Sequence, residues 1–113
     1  MSALPEVIDQ YFSGPSESPF MECDFRARDA ERFAHVLASP DASFRLQIVD
    51  SDCPAGFRSL LKAFGNATGI PCVVNTSFNG FHEPIVCTPR DAIRVFYGTG
   101  IDVLLMDRFV LTK

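Results

Sequence analysis

The stretch IPCVVNTSFN, residues 70–79, decides how this chain is read. Its first half, Ile70 to Val74, is a short apolar run that suits a buried strand, with Pro71 confined to the start because proline lacks a ladder N–H. Its second half, Asn75 to Asn79, sets two carboxamides and two hydroxyls within five residues. A polar loop directly after a strand is where α/β folds commonly place ligands. Asn and Ser side chains there either orient a phosphate or acyl oxygen, or bond their own backbone in a polar turn. Both readings stay open at this level.

Working outward, a helix is predicted on each side. Over residues 54–68, Phe57, Leu60, Leu61 and Phe64 recur at helical spacing as one apolar stripe. Pro54 suits the first turn and Gly69 the end. Phe64 is therefore expected in the core, with Phe64→Ala costing ~3–5 kcal/mol, while Lys62 on the opposite side is expected to be exposed. Downstream, Thr88 reads as an N-cap, Pro89 as the first helical residue and Asp91 as an acid in the electropositive first turn. Ala92, Ile93, Phe96 and Tyr97 supply that helix's stripe, and Gly98-Thr99-Gly100 ends it. Val103 to Met106 reads as a buried strand, followed by a turn at Asp107-Arg108 and a last strand over 109–111.

Upstream, residues 43–49 alternate, with Phe44, Leu46 and Ile48 on one face and Arg45, Gln47 and Val49 on the other. Arg45 and Gln47 would then share a polar face. Arg45 either clamps a phosphate or carboxylate or is a solvated surface residue. A short helix is predicted over 28–37 from Ala30, Phe33, Ala34 and Leu37, a turn at Ser39-Pro40-Asp41, and a strand over 20–26. Residues 1–19 read as a loop or ordered tail in which Val7, Ile8, Tyr11 and Phe12 form one helical turn. Helices and strands alternate through the second half, so the class is α/β or α+β.

Composition narrows the function classes. The 113 residues are one domain's worth, since domains run roughly 100–150 residues. Hydrophobic residues make up 47% and charged ones 21%, which is globular rather than disordered. No apolar run approaches the ~18–20 residues of a membrane span, and the acidic start shows no export signal. The net charge of -4 is scattered, with no basic stripe for nucleic acid. Cys23, Cys53, Cys72 and Cys87 form no C-x-x-C pair and are not spaced with His35 or His82 as zinc ligands would be. Reduced thiols in a cytoplasmic protein, with no metal site in this chain, are the expectation. His82 and Glu83 either touch a ligand or stand idle on the surface.

Asn75-Thr76-Ser77-Phe78-Asn79, then Glu83-Pro84-Ile85-Val86-Cys87-Thr88-Pro89, then Asp91-Ala92, resembles a family signature. The family is that of the O-carbamoyltransferases which include nodulation protein U, the cephalosporin carbamoyltransferases and the tobramycin carbamoyltransferase. Ser18-Pro19-Phe20-Met21, Phe44-Arg45-Leu46-Gln47, Leu61-Lys62-Ala63-Phe64-Gly65, Thr68-Gly69-Ile70-Pro71 and Gly100-Ile101-Asp102-Val103-Leu104 follow the same order. The resemblance divides the chain into a tail or loop at 1–17 and a carbamoyltransferase C-terminal, YrdC-like domain at 18–113. It implies part of a YrdC-like twisted mixed sheet packed with helices.

It also implies a chemistry. In that family carbamoyl phosphate and ATP, here a co-substrate, form a carbamoyl-adenylate. A separate actin-like domain holds a metal and moves the carbamoyl group onto a hydroxyl of a small molecule, as in natural product biosynthesis. Ser77-Phe78-Asn79 matches the Ser-x-Asn element and Arg45 the substrate-binding Arg. The implied site for carbamoyl phosphate and ATP is thus Arg45, Asn75, Ser77 and Asn79, with no catalytic residue assigned. The activity is expected to need further domains or a partner chain of actin-like fold, since the family's further Lys and Arg ligands have no counterpart in residues 1–17. The alternative is a non-catalytic interaction or nucleotide-binding module derived from that family. Small-molecule substrates, no nucleic acid, no membrane, and self-association through apolar surface complete the expectations. Two departures stand out. Residues 35–43 differ from the family's stretch before the Arg, and His82 replaces a Gly, which often supplies a positive φ.

Overall fold

The computed structural model describes residues 1–36, 41 and 43–113, and it is a mixed α+β structure. Among the described residues the strands lie in three small sheets rather than one. The chain forms two compact units, Met1–Asn75 and Thr76–Lys113.

In the first unit, strand β1 (Ser2–Ala3) is followed by a 3₁₀ turn (Pro5–Val7), helix α1 (Ile8–Tyr11) and strand β2 (Phe12–Ser13). Then come β3 (Asp24–Ala27), β4 (Ser43–Arg45), β5 (Gln47–Ile48), helix α2 (Ala55–Thr68) and β6 (Cys72–Val73). One sheet has the order β5-β1-β6, with β1 parallel to β5 and antiparallel to β6. The other, β2-β3-β4, is antiparallel. Residues 1–4, expected in a tail, are buried, and β1 is the middle strand of its sheet. Of the helical turn expected from Val7, Ile8, Tyr11 and Phe12, Ile8 to Tyr11 form α1, while Val7 ends the 3₁₀ turn and Phe12 starts β2. The boundary between compact units falls after Asn75.

Several expectations in this unit are corrected. Residues 28–36 form successive turns instead of a helix, and Leu37, Ser39 and Pro40 lie outside the described residues. Arg28 fixes the segment's start: its N–H donates to the Tyr11 carbonyl at 2.9 Å and its Nε to the Phe12 carbonyl at 3.0 Å. Among the described residues of the expected stripe, Phe33 alone is buried. Its ring sits 5.1 Å from that of Phe12, while Ala30 and Ala34 face water. One anchored aromatic does not offset the cost of nucleating a short helix.

The second correction concerns the strand over 43–49, which breaks at Leu46. That residue is fully buried, β4 pairs with β3, and β5 pairs with β1 in the other sheet. Arg45 and Gln47 therefore do not share one strand face. Val49, expected on the polar side, is fully buried. The strand expected over 20–26 forms later, at Asp24–Ala27, because Met21 takes a positive φ of 62° that no strand contains.

Helix α2 matches its prediction to within a residue and ends on Gly69 at φ 82°, the left-handed conformation that glycine adopts without a Cβ penalty. Its stripe is only half covered. Leu61 is fully buried against Leu4 and Val49, but Leu60 and Phe64 remain 47% and 42% exposed. Phe64 is thus not a core residue, contrary to the stripe.

The second unit holds helix α3 (Pro89–Gly98) and strands β7 (Val103–Met106) and β8 (Phe109–Thr112), paired antiparallel as a hairpin. Thr88 caps α3 through a reciprocal box. Its hydroxyl accepts from the Asp91 amide, and the Asp91 carboxylate accepts from the Thr88 amide at 3.0 Å. Ala92, Phe96 and Leu104 make the unit's core, with Phe78, Ile101 and Leu111 packed on it. Asp107, at φ 53°, opens the two-residue turn of the hairpin.

Candidate functional site

Arg45 ends β4 opposite Asp24, and its side chain is exposed. No carboxylate of the described residues lies within 4.0 Å of its guanidinium. Gln47 is committed elsewhere: its Oε1 accepts from Ser2 Oγ at 2.9 Å and its Nε2 donates to the Pro19 carbonyl at 3.0 Å. It pins β5 and β1 to the segment before β3, which is a structural task.

Asn75 is exposed and closes the first unit. Thr76 and Ser77, also exposed, open the second. Ser77 and Asn79 therefore share one loop of the second unit, while Arg45 and Asn75 belong to the first. Between Ser77 and Asn79, Phe78 turns inward onto the Ala92–Phe96–Leu104 core, and its carbonyl accepts from the Val86 amide at 3.0 Å. The alternation is what a half-buried aromatic flanked by polar neighbours produces: an apolar anchor fixes the backbone that carries Ser77 and Asn79.

Asn79 is not directed purely outward. Its Nδ2 donates to the Gly80 carbonyl at 2.9 Å and to the Glu83 carbonyl at 3.2 Å. Residues 80–83 form a turn closed by Glu83 N–H to the Gly80 carbonyl at 3.0 Å. His82, third in that turn, has φ 59°, so the histidine adopts the positive φ that a glycine would supply with less strain. Phe81 and His82 are exposed at the tip, with ring centroids 4.1 Å apart.

Glu83 reaches across to α3, where Arg94 Nη1 donates to its Oε1 at 2.6 Å. The hydrogen bond from Arg94 holds the Glu83 carboxyl below the usual carboxylate range and raises the Arg94 guanidinium in turn. The Thr88 hydroxyl lowers the Asp91 carboxyl in the same way. Sequence reasoning did not single out Arg94. The pair spans eleven positions and bridges a loop and a helix, so no local spacing rule exposes it.

Two other sequence candidates, Lys62 and His35, belong to the first unit. Lys62 is exposed on α2, and His35 is exposed among the turns before the undescribed residues. All four cysteines are free thiols, and burial pushes the Cys72 thiol up to about 11. Among the described residues, no three His, Cys, Asp or Glu side chains converge as a metal would require. No helix of the described residues is long and apolar enough to cross a membrane.

The fold and loop define an α+β domain with a polar strand-to-helix loop, clasped by a carboxylate–guanidinium pair. The chain belongs to the family described as carbamoyltransferase C-terminus, whose model matches residues 1–113. That match begins at the buried first strand, ahead of residue 18 where the motif resemblance starts. The chain is similar to an uncharacterized protein of Synechocystis sp., 45% identical over 99% of this chain and 22% of the relative. It is similar to nodulation protein NolO of Bradyrhizobium diazoefficiens, 34% identical over 99% of this chain and 21% of the relative. It is also similar to nodulation protein NolNO of Sinorhizobium fredii, 32% identical over 99% of this chain and 17% of the relative. The chain thus spans about a fifth of the length of the relatives it matches.

Proposed function

We propose that this chain contributes part of a carbamoyl phosphate and ATP site to an O-carbamoyltransferase, in which a carbamoyl-adenylate forms before transfer to a hydroxylated small molecule. Arg45, Asn75, Ser77 and Asn79 are the proposed contacts. The observation that carries this is the Ser77-Phe78-Asn79 loop within a family match over the whole chain: Phe78 is anchored in the core and Ser77 is exposed beside it. An anchored loop with a free face holds donors in place before the ligand arrives, which is what stabilising developing charge requires. Arg45 adds a charge able to hold phosphate oxygens bidentately.

Water first cleaves carbamoyl phosphate at its P–O bond to give carbamate and inorganic phosphate; a carbamate oxygen then bonds the α-phosphorus of ATP as the α–β phosphoanhydride breaks and pyrophosphate leaves, steps that need positioning and charge neutralisation rather than a protein nucleophile. One Arg against the charge of two anionic substrates is too little, so the chain alone is expected to bind weakly and turn over negligibly. The committed amide of Asn79 favours the second reading, a binding or interaction module without turnover.

The test is a titration of the isotope-labelled chain with carbamoyl phosphate and, separately, with ATP, read at the amides of Arg45, Asn75, Ser77 and Asn79. It is paired with a pyrophosphate-release assay in a full-length family enzyme carrying this domain. Saturable shifts at those amides, and a loss of about 10²–10³ in rate on Ser77→Ala, are expected. Ser77 is the cleaner probe because Asn79→Ala also unties the loop. Unchanged amides and wild-type turnover in Ser77→Ala would leave only the polar-turn reading.

A further inference from the structure

Among the described residues, Glu83 is held at three points. Its N–H bonds the Gly80 carbonyl, its carbonyl receives the Asn79 amide, and its carboxylate receives Arg94. Exposed ion pairs of this kind add little to stability, and both side chains here are substantially solvated. The pair does fix a distance, however, because α3 is rigid and capped while the turn at 80–83 has no other side-chain tie to it among the described residues.

Gly80 leaves the Glu83 carboxylate room for its present geometry. A Cβ at that position would come within 2.9 Å of Glu83 Cδ and closer still to Oε2, displacing the carboxylate that Arg94 holds. A larger residue there would make the end of the Glu83 side chain shift from the position in which Arg94 holds it.

We propose that Arg94, acting through Glu83, is a positioning residue that sets the geometry of the loop carrying Ser77 and Asn79. This rests on the reading of that loop as a carbamoyl phosphate site. Arg94 touches no reacting group. It holds Glu83, Glu83 orients the Asn79 amide, and the Asn79 backbone continues into Phe78 and Ser77. The clasp also explains why Asn79 spends its Nδ2 on the turn: the amide is the link between ion pair and site.

The experiment uses the full chain with Arg94→Gln, Arg94→Lys, Gly80→Ala and the swapped pair Glu83→Arg with Arg94→Glu. Gly80→Ala leaves both charged groups present and disturbs only their meeting. Amide resonances report the loop, and titration with carbamoyl phosphate reports the site. Arg94→Gln and Gly80→Ala should both shift the Ser77, Phe78 and Asn79 amides with an unchanged melting temperature. Each should weaken carbamoyl phosphate binding about 10-fold or more, by analogy with the ~10- to 100-fold losses when partners that orient a metal ligand are removed. Arg94→Lys and the swapped pair should recover part of the affinity. A merely structural role would lower the melting temperature without this pattern of recovery. Unmoved loop amides, or moved amides with wild-type affinity, would overturn the positioning role. A wild-type chain whose Ser77 and Asn79 amides ignore carbamoyl phosphate would overturn the site reading beneath it, an outcome visible before any variant is made.

Discussion

Leu61 and Phe64 stand one turn apart on α2 and separate two ways of estimating stability. By residue size, truncating the phenylalanine costs more. By environment the order reverses. Leu61 is fully buried against Leu4 and Val49, so Leu61→Ala removes its transfer free energy and leaves a closed cavity, a loss of about 3 kcal/mol within the 2–5 range of such changes. Phe64 keeps 42% of its surface in water. Truncation there uncovers only about half of the ~150–250 Å² that a buried Phe removes from solvent. Alanine still covers part of that patch, so at ~25 cal/mol per Å² the loss is about 1–2 kcal/mol, with no sealed void. Urea unfolding of each variant, followed at amides of residues 1–75, reads the first compact unit separately from the second. Leu61→Ala should shift the midpoint roughly twice as far as Phe64→Ala. A Phe64→Ala cost equal to or above that of Leu61→Ala would refute the environmental argument and return Phe64 to the core.

Thr88→Ala should destabilise the second unit by about 1 kcal/mol through loss of the cap, measured by chemical denaturation of α3 resonances. The Asp91 carboxyl, lowered from its ordinary 3.8 chiefly by the Thr88 hydroxyl, contributes stability that is fully present above that value and disappears as pH falls through the lower folded one. Asp91→Asn should therefore flatten the acid limb of the second unit's stability curve, and an unchanged limb would contradict the cap. Iodoacetamide should modify exposed Cys87 well before half-buried Cys72, whose thiol stays protonated at neutral pH, as mass spectrometry of the labelled peptides will show. Asp107→Gly should stabilise the β7–β8 hairpin by about 0.5 kcal/mol, because glycine relieves the positive φ at the first turn position while adding unfolded-chain entropy. Slower amide exchange across the Met106–Phe109 pair would register the gain, and faster exchange would refute it.

The sequence by itself determined the features that a few neighbouring residues decide. The start of α3 is legible in Thr88-Pro89-Arg90-Asp91 because cap and carboxylate act within one turn, and the end of α2 is legible in Gly69 because only its own backbone needs the left-handed conformation. The hairpin turn at Asp107-Arg108 and the polar loop after β6 are local in the same sense. The order of motifs along the chain likewise carries its family membership without any tertiary contact.

Only the tertiary structure decided what distant partners control. Ser2 and Ala3 become a central strand because Gln47–Ile48 and Cys72–Val73 arrive on either side of them. The alternation over 43–49 looked like one strand, but Leu46 had to be buried between two sheets. The pattern over 28–36 looked helical, yet Phe33 found Phe12 without a helix. Within the candidate site, the residue types at 75–79 were visible, whereas the commitment of the Asn79 amide and the Glu83–Arg94 clasp were not. Caps and turns are settled by interactions a few residues long, so their signals lie in the sequence. Sheet order, burial of a stripe and a loop-to-helix ion pair depend on which remote segments meet, and that is settled when the chain folds.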